Sequence, residues 1–259
     1  MKKTLIMTSV ALVLLLAVIA AGLNVIFTVT HVDVSFNTFS EQGAADAVTL
    51  KKELDEYTGS STTFLKLSKV EKKVQEYPCF RLEEVKKKFP KTLQVVVSER
   101  RELFAYGLEN GKYAMIDAEG ICLRIVDDNI SRSGGENVLL KNFTLNASVG
   151  ARVEGEYFEA VLSAFSGFES YMADARANIR EVKLSYNGSG SSINYNSFVI
   201  LMQEGCKITI YNPLVNADEK AKEAVKVYER FSDVDKLHGE ITVTDGADGG
   251  VNVGWDLDE

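Results

Sequence analysis

Hydrophobic positions at the start of the chain form one long uninterrupted run. Residues 4–30 carry no charge, and residues 5–27 are mostly Leu, Val, Ile and Ala. At about 1.5 Å per residue, such a run can cross a hydrocarbon core of about 30 Å. Lys2 and Lys3 flank it on one side only. The positive-inside rule therefore predicts a cytoplasmic tail at residues 1–4, a transmembrane helix at 5–27 and an extracytoplasmic remainder.

A cleaved signal peptide is the alternative for this run. Val18-Ile-Ala20 would satisfy the small-residue rule for cleavage. The apolar run continues past that point to Phe27, which is long for a signal core. This length favours a retained anchor and a single-pass membrane protein, and leaves cleavage open.

The next seventy residues alternate between strand and helix patterns. Ala45, Val48, Leu50 and Leu54 recur at roughly helical spacing, and Ser68 followed by Glu71 forms a capping box at the start of a second helix. The pattern predicts a β-α-α-β-β unit at residues 28–99, with strands from Val29 to Phe36, from Phe80 to Phe89 and from Leu93, and helices from Gln42 to Tyr57 and from Ser68 to Tyr77.

The last strand of this unit is the clearest in the chain. Pro90 lacks a backbone N–H, which suits the turn before a strand. Period-two alternation then places Leu93, Val95 and Val97 on one face, and Gln94, Val96 and Ser98 on the other. The strand ends at the charged run 99–102, which predicts a boundary.

Past Arg100 the pattern is mostly that of strands. A β domain with flanking helices is predicted at residues 100–255, mostly antiparallel, followed by a tail at 256–259. Its helices are predicted from Tyr157 to Met172 and from Asp218 to Phe231, and its closing strands from Gly239 to Val243 and from Val251 to Trp255.

Charge differs between the two parts. Residues 31–98 carry 11 basic and 10 acidic residues, whereas residues 99–259 carry 16 basic and 27 acidic ones. The acidic balance of the second part argues against nucleic acid as a partner. The lysines at 86–88 and 91 are typical of a solvated strand end, with a contact to anionic lipid headgroups as the alternative.

Cysteine and histidine positions give no sign of a metal, cofactor or catalytic site. Cys79, Cys122 and Cys206 are predicted to be buried thiols, with a Cys122–Cys206 bridge left open. His31 and His238 have no partner at metal-ligand spacing. Nucleophile-elbow and zinc-helix motifs do not occur in the sequence. We therefore expect a protein without enzymatic activity, cofactor or metal.

Three motifs, in order after the apolar run, carry a family resemblance. They are Phe27-x-Val-x-x-Val-x-Val, Pro90-x-x-Leu-x-Val-x-Val-x-Glu-Arg100 and Ile116-Asp-Ala-Glu-Gly120. With them the chain resembles the FtsQ/DivIB bacterial cell-division proteins over nearly its whole length. Residues 127–156 match poorly. Leu103 stands where the family often has Pro, and Asn212-Pro213 where it has Leu-Gly.

The resemblance implies a single-pass cell-membrane protein at the division septum, with the 28–99 unit as a POTRA domain. It also implies a non-enzymatic divisome scaffold that recruits FtsB/DivIC-like and FtsL-like bitopic partners and links them to septal peptidoglycan synthesis. A POTRA-containing binding protein, secreted or anchored, that acts in polypeptide or envelope assembly is the alternative.

The resemblance also implies where the partner binds. In this family a partner strand extends the sheet at the C-terminal edge of the β domain, which corresponds here to Gly250, Val251, Val253, Gly254 and Trp255. Trp255 could instead cap the core of its own domain. Glu99 and Arg100 are expected to form a polar hinge or interdomain contact.

Overall fold

In the computed structural model the chain divides between Arg100 and Arg101 into two units. The structure describes residues 12–16, 18, 22, 26–186, 196–247 and 249–257. The predicted span at residues 5–27 falls largely outside this described part. Among the described residues, no helix is both long and apolar enough to cross a membrane.

The first unit has the predicted β-α-α-β-β order. Its three strands pair in the order β1-β3-β2, with β3 parallel to β1 and antiparallel to β2. A short 3-10 turn, Asp55–Tyr57, follows the first helix. The elements are β1 (His31–Asn37), α1 (Glu41–Leu54), α2 (Leu67–Gln75), β2 (Phe80–Lys88) and β3 (Thr92–Glu99).

Strand β3 lies between β1 and β2, and its inward face is entirely apolar. Leu93, Val95 and Val97 are fully buried, which confirms the predicted face. They share a core with residues of both helices and of the neighbouring strands, including Val32, Leu50, Leu54, Val70, Val74 and Phe80. The mixed three-stranded sheet is thus held by side chains from every element of the unit.

Helix α1 presents a different face to this core than the sequence predicted. Gly43 and Ala47 are buried with Leu50 and Leu54, whereas Ala45 and Val48 are exposed, so their predicted inward positions were wrong. The reason lies at the helix start. Gly43 lies against the Glu99 carboxylate, where a Cβ atom would be 2.2 Å away, so the side of α1 that carries Gly43 and Ala47 faces the sheet.

The capping box predicted at Ser68 was also wrong. Helix α2 begins one residue earlier, at Leu67, and Lys66 occupies the N-cap position without a side-chain cap. Leu67 packs against the core as the first residue of the helix.

The second unit is a nine-stranded mixed sheet with a few helices, so the chain as a whole is α+β. The strand order is β12-β11-β10-β9-β8-β7-β4-β5-β6. Its strands are β4 (Glu102–Gly107), β5 (Tyr113–Asp117), β6 (Cys122–Val126), β7 (Val138–Lys141), β8 (Ile179–Ser185), β9 (Ser197–Met202), β10 (Lys207–Tyr211), β11 (Glu240–Asp245) and β12 (Val251–Asp256). Its helices are α3 (Phe158–Glu169), α4 (Ala175–Asn178), α5 (Ala217–Tyr228) and α6 (Asp235–His238).

Three of its strand pairs are parallel, β4–β7, β7–β8 and β10–β11, and the other five are antiparallel. The sequence missed β7, which lies in the poorly matching stretch 127–156. Parallel neighbours need a crossover, and helices supply two of them. Helix α3 connects β7 to β8, and α5 connects β10 to β11.

The two crossover helices pack closely on each other. A Cβ atom at Gly167 of α3 would lie 2.2 Å from the Asp218 carbonyl oxygen and 2.9 Å from the Ala221 Cβ. Only glycine fits at this point of α3. The close approach lets both helices cover one core with β-strand residues such as Phe104, Phe198, Ile208 and Ile241.

The Ile116–Gly120 motif forms a tight turn between β5 and β6. A side-chain oxygen of Asp117 accepts the Glu119 N–H at 3.0 Å and the Ile121 N–H at 2.7 Å. Gly120 has a φ of +80°, which favours glycine. The motif therefore has a clear local role in turning the chain.

All three cysteines are free and buried. The predicted buried thiols are confirmed, and the Cys122–Cys206 bridge that the sequence left open is absent. Desolvation raises the pKa of Cys122 to about 11. Desolvation, with smaller contributions from Glu204 and Glu240, also raises the pKa of Cys206 to about 11.

Candidate partner-binding edge

The last two strands form a hairpin at one end of the nine-stranded sheet. Strand β12 pairs antiparallel with β11 along its whole length, from Asp245 opposite Val251 to Glu240 opposite Asp256. Gly250 lies in the turn before the strand, where its carbonyl accepts the Gly246 N–H at 2.8 Å. Of the predicted binding residues, four therefore lie in β12 and one in its turn.

The inner face of β12 changes character along its length. Val251 and Val253 are half-buried and pack against the core. Trp255 pairs with the fully buried Ile241, so its side chain lies on the same face of the sheet as Val251 and Val253. It is nevertheless 59% exposed and does not belong to the core cluster. Trp255 does not cap the core of its own domain.

The outer side of β12 is open among the described residues. The strand comes last in the sheet order, so its second edge pairs with no described strand. A Cβ atom at Gly254 would meet nothing within 4 Å. An edge strand presents unpaired N–H and C=O groups, and added strands pair with such groups.

A buried lysine holds the base of this hairpin. Lys220 of α5 is fully buried, and its ammonium donates at 2.9 Å to the carbonyls of both Tyr211 and Asn212. It also lies 2.7 Å from a carboxylate oxygen of Asp245, the last residue of β11. One side chain thus ties the ends of β10 and β11 together just before the chain turns into β12.

The same contacts set the charge state of Asp245. Burial would raise the pKa of this carboxyl, but the hydrogen bonds from Lys220 and Asn212 outweigh burial and lower the pKa below its ordinary value of 3.8. Asp245 is therefore ionised above that range, and its charge pairs with the buried ammonium.

The sequence contained a signal for Lys220 that its charge obscured. The buried residues of α5 recur at three- and four-residue steps, Ala217, Lys220, Ala221, Ala224, Val225 and Tyr228. Lys220 lies within this apolar stripe. A lysine at such a position needs internal acceptors, because an unpaired buried ammonium is costly.

The predicted interdomain pair lies at the end of β3. Glu99 is 7% exposed and accepts the N–H groups of Phe39 at 2.9 Å and Ser40 at 3.1 Å, and it also bonds the Ser40 hydroxyl. The Arg100 N–H donates to the Cys79 carbonyl at 2.8 Å. The Glu99 bonds fasten β3 to the start of α1, and the Arg100 bond links it to the residue before β2. Both lie within the first unit, and a contact between units stays a prediction.

A scan of protein-family models finds no match to this chain, and a search of curated proteins finds none that is significantly similar. The description of the site therefore depends on its own geometry.

The second unit also contains a polar cavity of about 710 Å³. Arg176 on its wall donates to the Gly134 carbonyl at 2.6 Å and to the Ser133 hydroxyl at 2.8 Å. Burial, with a contribution from Asp174, raises the pKa of Glu169, another wall residue. The arginine is held by the neighbouring loop, and among the described residues no cluster of His, Cys, Asp and Glu could hold a metal ion. The β12 edge remains the better candidate site.

Proposed function

We propose that this protein is a non-enzymatic scaffold of the bacterial division machinery, similar to FtsQ/DivIB. One N-terminal helix anchors it in the cell membrane, and its two units lie outside the cytoplasm. It binds an FtsB/DivIC-like bitopic partner by strand addition at β12, recruits an FtsL-like protein with it, and links both to septal peptidoglycan synthesis.

The open edge of β12 is the observation that carries this proposal. A strand added beside β12 would gain main-chain hydrogen bonds, and alternate side chains would supply specificity. The exposed Trp255 gives this edge an aromatic anchor, the residue type most enriched among binding hot spots. Its neighbour Gly254 leaves room for the backbone of a partner.

The first unit supports the same proposal through its topology. A β-α-α-β-β order with the sheet order β1-β3-β2 agrees with the POTRA domain that the resemblance implies. POTRA units also occur in other envelope proteins, so the first unit alone would fit the alternative function equally well. We favour the scaffold because β12 is an edge strand, as the partner site implied by the resemblance requires.

The test is co-purification of the full chain with its FtsB/DivIC-like partner. We expect Trp255→Ala to weaken binding by at least about thirtyfold, since truncation of a hot-spot residue costs about 2 kcal/mol or more. Val253→Lys should abolish binding, because Val253 packs against the core and a charge there loosens β12, the strand that the partner would pair with. The thermal unfolding midpoint of Trp255→Ala should stay near that of the wild type, because the side chain is exposed.

Tyr186→Ala and Val149→Lys are matched controls, since both residues are exposed in the second unit and lie outside β12. Both controls should bind normally. Normal binding by Trp255→Ala and Val253→Lys would show that β12 is not the interface.

A further inference from the structure

Three segments of the first unit meet where the chain leaves its apolar N-terminal run. The Phe27 carbonyl accepts the Thr62 N–H at 2.5 Å, and the Val29 N–H donates to Ser60 at 2.8 Å. The Thr62 hydroxyl donates to the Pro90 carbonyl at 2.9 Å. We name residues 59–69 and 87–91 the entry face, since they surround the point where the apolar run ends.

The entry face exposes large aromatic rings. Phe64 is 83% exposed and Phe89 is 61% exposed. The Phe89 ring also contacts the ring of Phe27, with centroids 6.0 Å apart. Single exposed apolar side chains are normal, but two phenyl rings on adjoining loops form a patch that suits an apolar or interfacial environment.

Lysines surround these rings, namely Lys66, Lys69, Lys87, Lys88 and Lys91. Within the described part of the chain, none of the five forms an ion pair with a carboxylate, whereas Lys86 pairs with Glu84. Lys87 reaches across to the Thr63 carbonyl at 3.1 Å, so its ammonium lies at the loop that carries Phe64. The entry face is therefore cationic as well as aromatic.

An open pocket of about 350 Å³ lies on this face, lined by Ser60, Ser61, Phe64, Leu65, Lys66 and Lys69. Two hydroxyls and two ammonium groups are donors suited to a phosphate, and the phenyl and leucine side chains give the pocket an apolar wall. A phosphate ester on an apolar stem satisfies both halves of this lining.

We propose that the entry face docks on the membrane surface by binding anionic phospholipid headgroups, with Phe64 and Phe89 at headgroup depth. The location supports this occupant, because Phe27 ends the apolar run and is bonded directly to the entry face. Lysines near an anionic leaflet each gain about 1 kcal/mol, and the attraction fades within a Debye length of about 8 Å. Docking rests on the anchoring in the proposed function.

The test places a fluorescent label on the entry face of the full chain. Thr63→Cys offers an exposed thiol and keeps both rings, while Cys79, Cys122 and Cys206 are buried and label poorly. The protein is reconstituted into vesicles with nitroxide-labelled lipid, either zwitterionic or containing phosphatidylglycerol. We expect quenching several-fold stronger at residue 63 than at Val48→Cys, an exposed apolar position on α1. Quenching at residue 63 should be stronger in anionic vesicles and should fall at 0.5 M salt.

Charge variants sharpen the test. Lys66→Gln with Lys69→Gln should weaken docking by about fivefold for each lysine removed. Lys51→Gln with Lys52→Gln, at exposed positions of α1, should leave it unchanged. Equal quenching at residues 63 and 48 in a protein that co-floats and resists carbonate extraction would overturn docking and leave anchoring intact.

The converse result separates the two proposals. Extraction of the protein by carbonate would contradict the proposed membrane anchor. Salt-sensitive flotation with anionic vesicles would then support docking of the entry face independently of the anchor. Absence of such flotation would overturn the entry face as well.

Discussion

The two edges of the nine-stranded sheet differ in whether another segment of the chain bonds to them. At the β6 edge, the Cys122 N–H donates to the Ala151 carbonyl at 3.0 Å, and the Cys122 carbonyl accepts the Gly150 N–H at 2.8 Å. The Val153 N–H adds a bond to Gly120 at 2.8 Å. Residues 150–153 thus cover the start of this edge, at Cys122 and the turn before it. At the β12 edge, no described segment takes the same place.

This difference indicates which edge is free to pair with a partner strand. Exposed sheet edges invite unwanted pairing, and proteins usually cover or charge them. Here one edge is covered at its first residue by main-chain bonds, and the other holds an exposed tryptophan beside a glycine. An open edge of this kind is a liability unless a partner covers it, which is why we propose that a partner binds at β12.

Amide exchange should show the largest contrast between the two edges. We expect the amides of Cys122, Gly150 and Val153 to exchange at least about a thousandfold more slowly than the outward amides of β12. Opening free energies run from about 0 at a free edge to several kcal/mol in a covered one. Hydrogen–deuterium exchange of the full chain, read residue by residue, measures this.

Addition of the FtsB/DivIC-like partner extends that experiment. The outward β12 amides should then become protected, while the β6 amides should not change. Slow exchange along β12 in the protein alone would show that its edge is already covered.

Lys220→Met should have the next largest effect, because it removes support from the β12 hairpin. The substitution keeps the length of the side chain but leaves the Tyr211 and Asn212 carbonyls without their donor and Asp245 without its cation. Loss of one partner from a buried pair costs about 3 kcal/mol or more. Chemical denaturation of the full chain in detergent should show this loss in the free energy of unfolding.

Lys222→Met is the matched control on the same helix. Lys222 is partly exposed and pairs with Asp218 at 3.5 Å, so its loss should cost less than about 1 kcal/mol. Similar losses in the free energy of unfolding of both variants would mean that the buried contacts of Lys220 stabilise the fold no more than a surface ion pair does.

Periodicity alone predicted much of this fold. The β-α-α-β-β order of the first unit and the inward face of β3 follow from patterns of two and of three to four residues. Residues 251–255 were also correctly expected to form a strand. Such patterns report which residues face the core, and they are strongest where a strand has one buried face.

Sequence patterns predicted poorly where a polar group is buried with its partners. The charged run 99–102 correctly predicted a boundary, but it did not indicate that Glu99 and Glu102 are both buried. Glu99 holds the start of α1, and Glu102 pairs with Arg124. Lys220 is a third case. Such partners lie far apart in sequence, and β7 was missed because parallel pairing likewise joins distant segments.

Alkaline pH should produce the smallest of these effects, and Cys122 of the covered β6 edge contributes to it. The pKa values of Cys122 and Cys206 are raised to about 11, above an unfolded value near 9. A raised folded pKa means that stability is fully present below about pH 9 and is lost as the pH rises toward 11. We expect a loss of up to about 1.4 kcal/mol per thiol by pH 10, measured by denaturation under reducing conditions.

Cys122→Ala and Cys206→Ala separate the two contributions. Each single variant should flatten the pH dependence between pH 9 and 10, and the double variant should flatten it most. Tyr228, whose pKa is also raised by burial and its hydrogen bond to Glu204, leaves a residual slope at higher pH. An unchanged slope at pH 9–10 in the double variant would mean that burial does not raise the pKa values of the two thiols and that other groups produce the loss of stability.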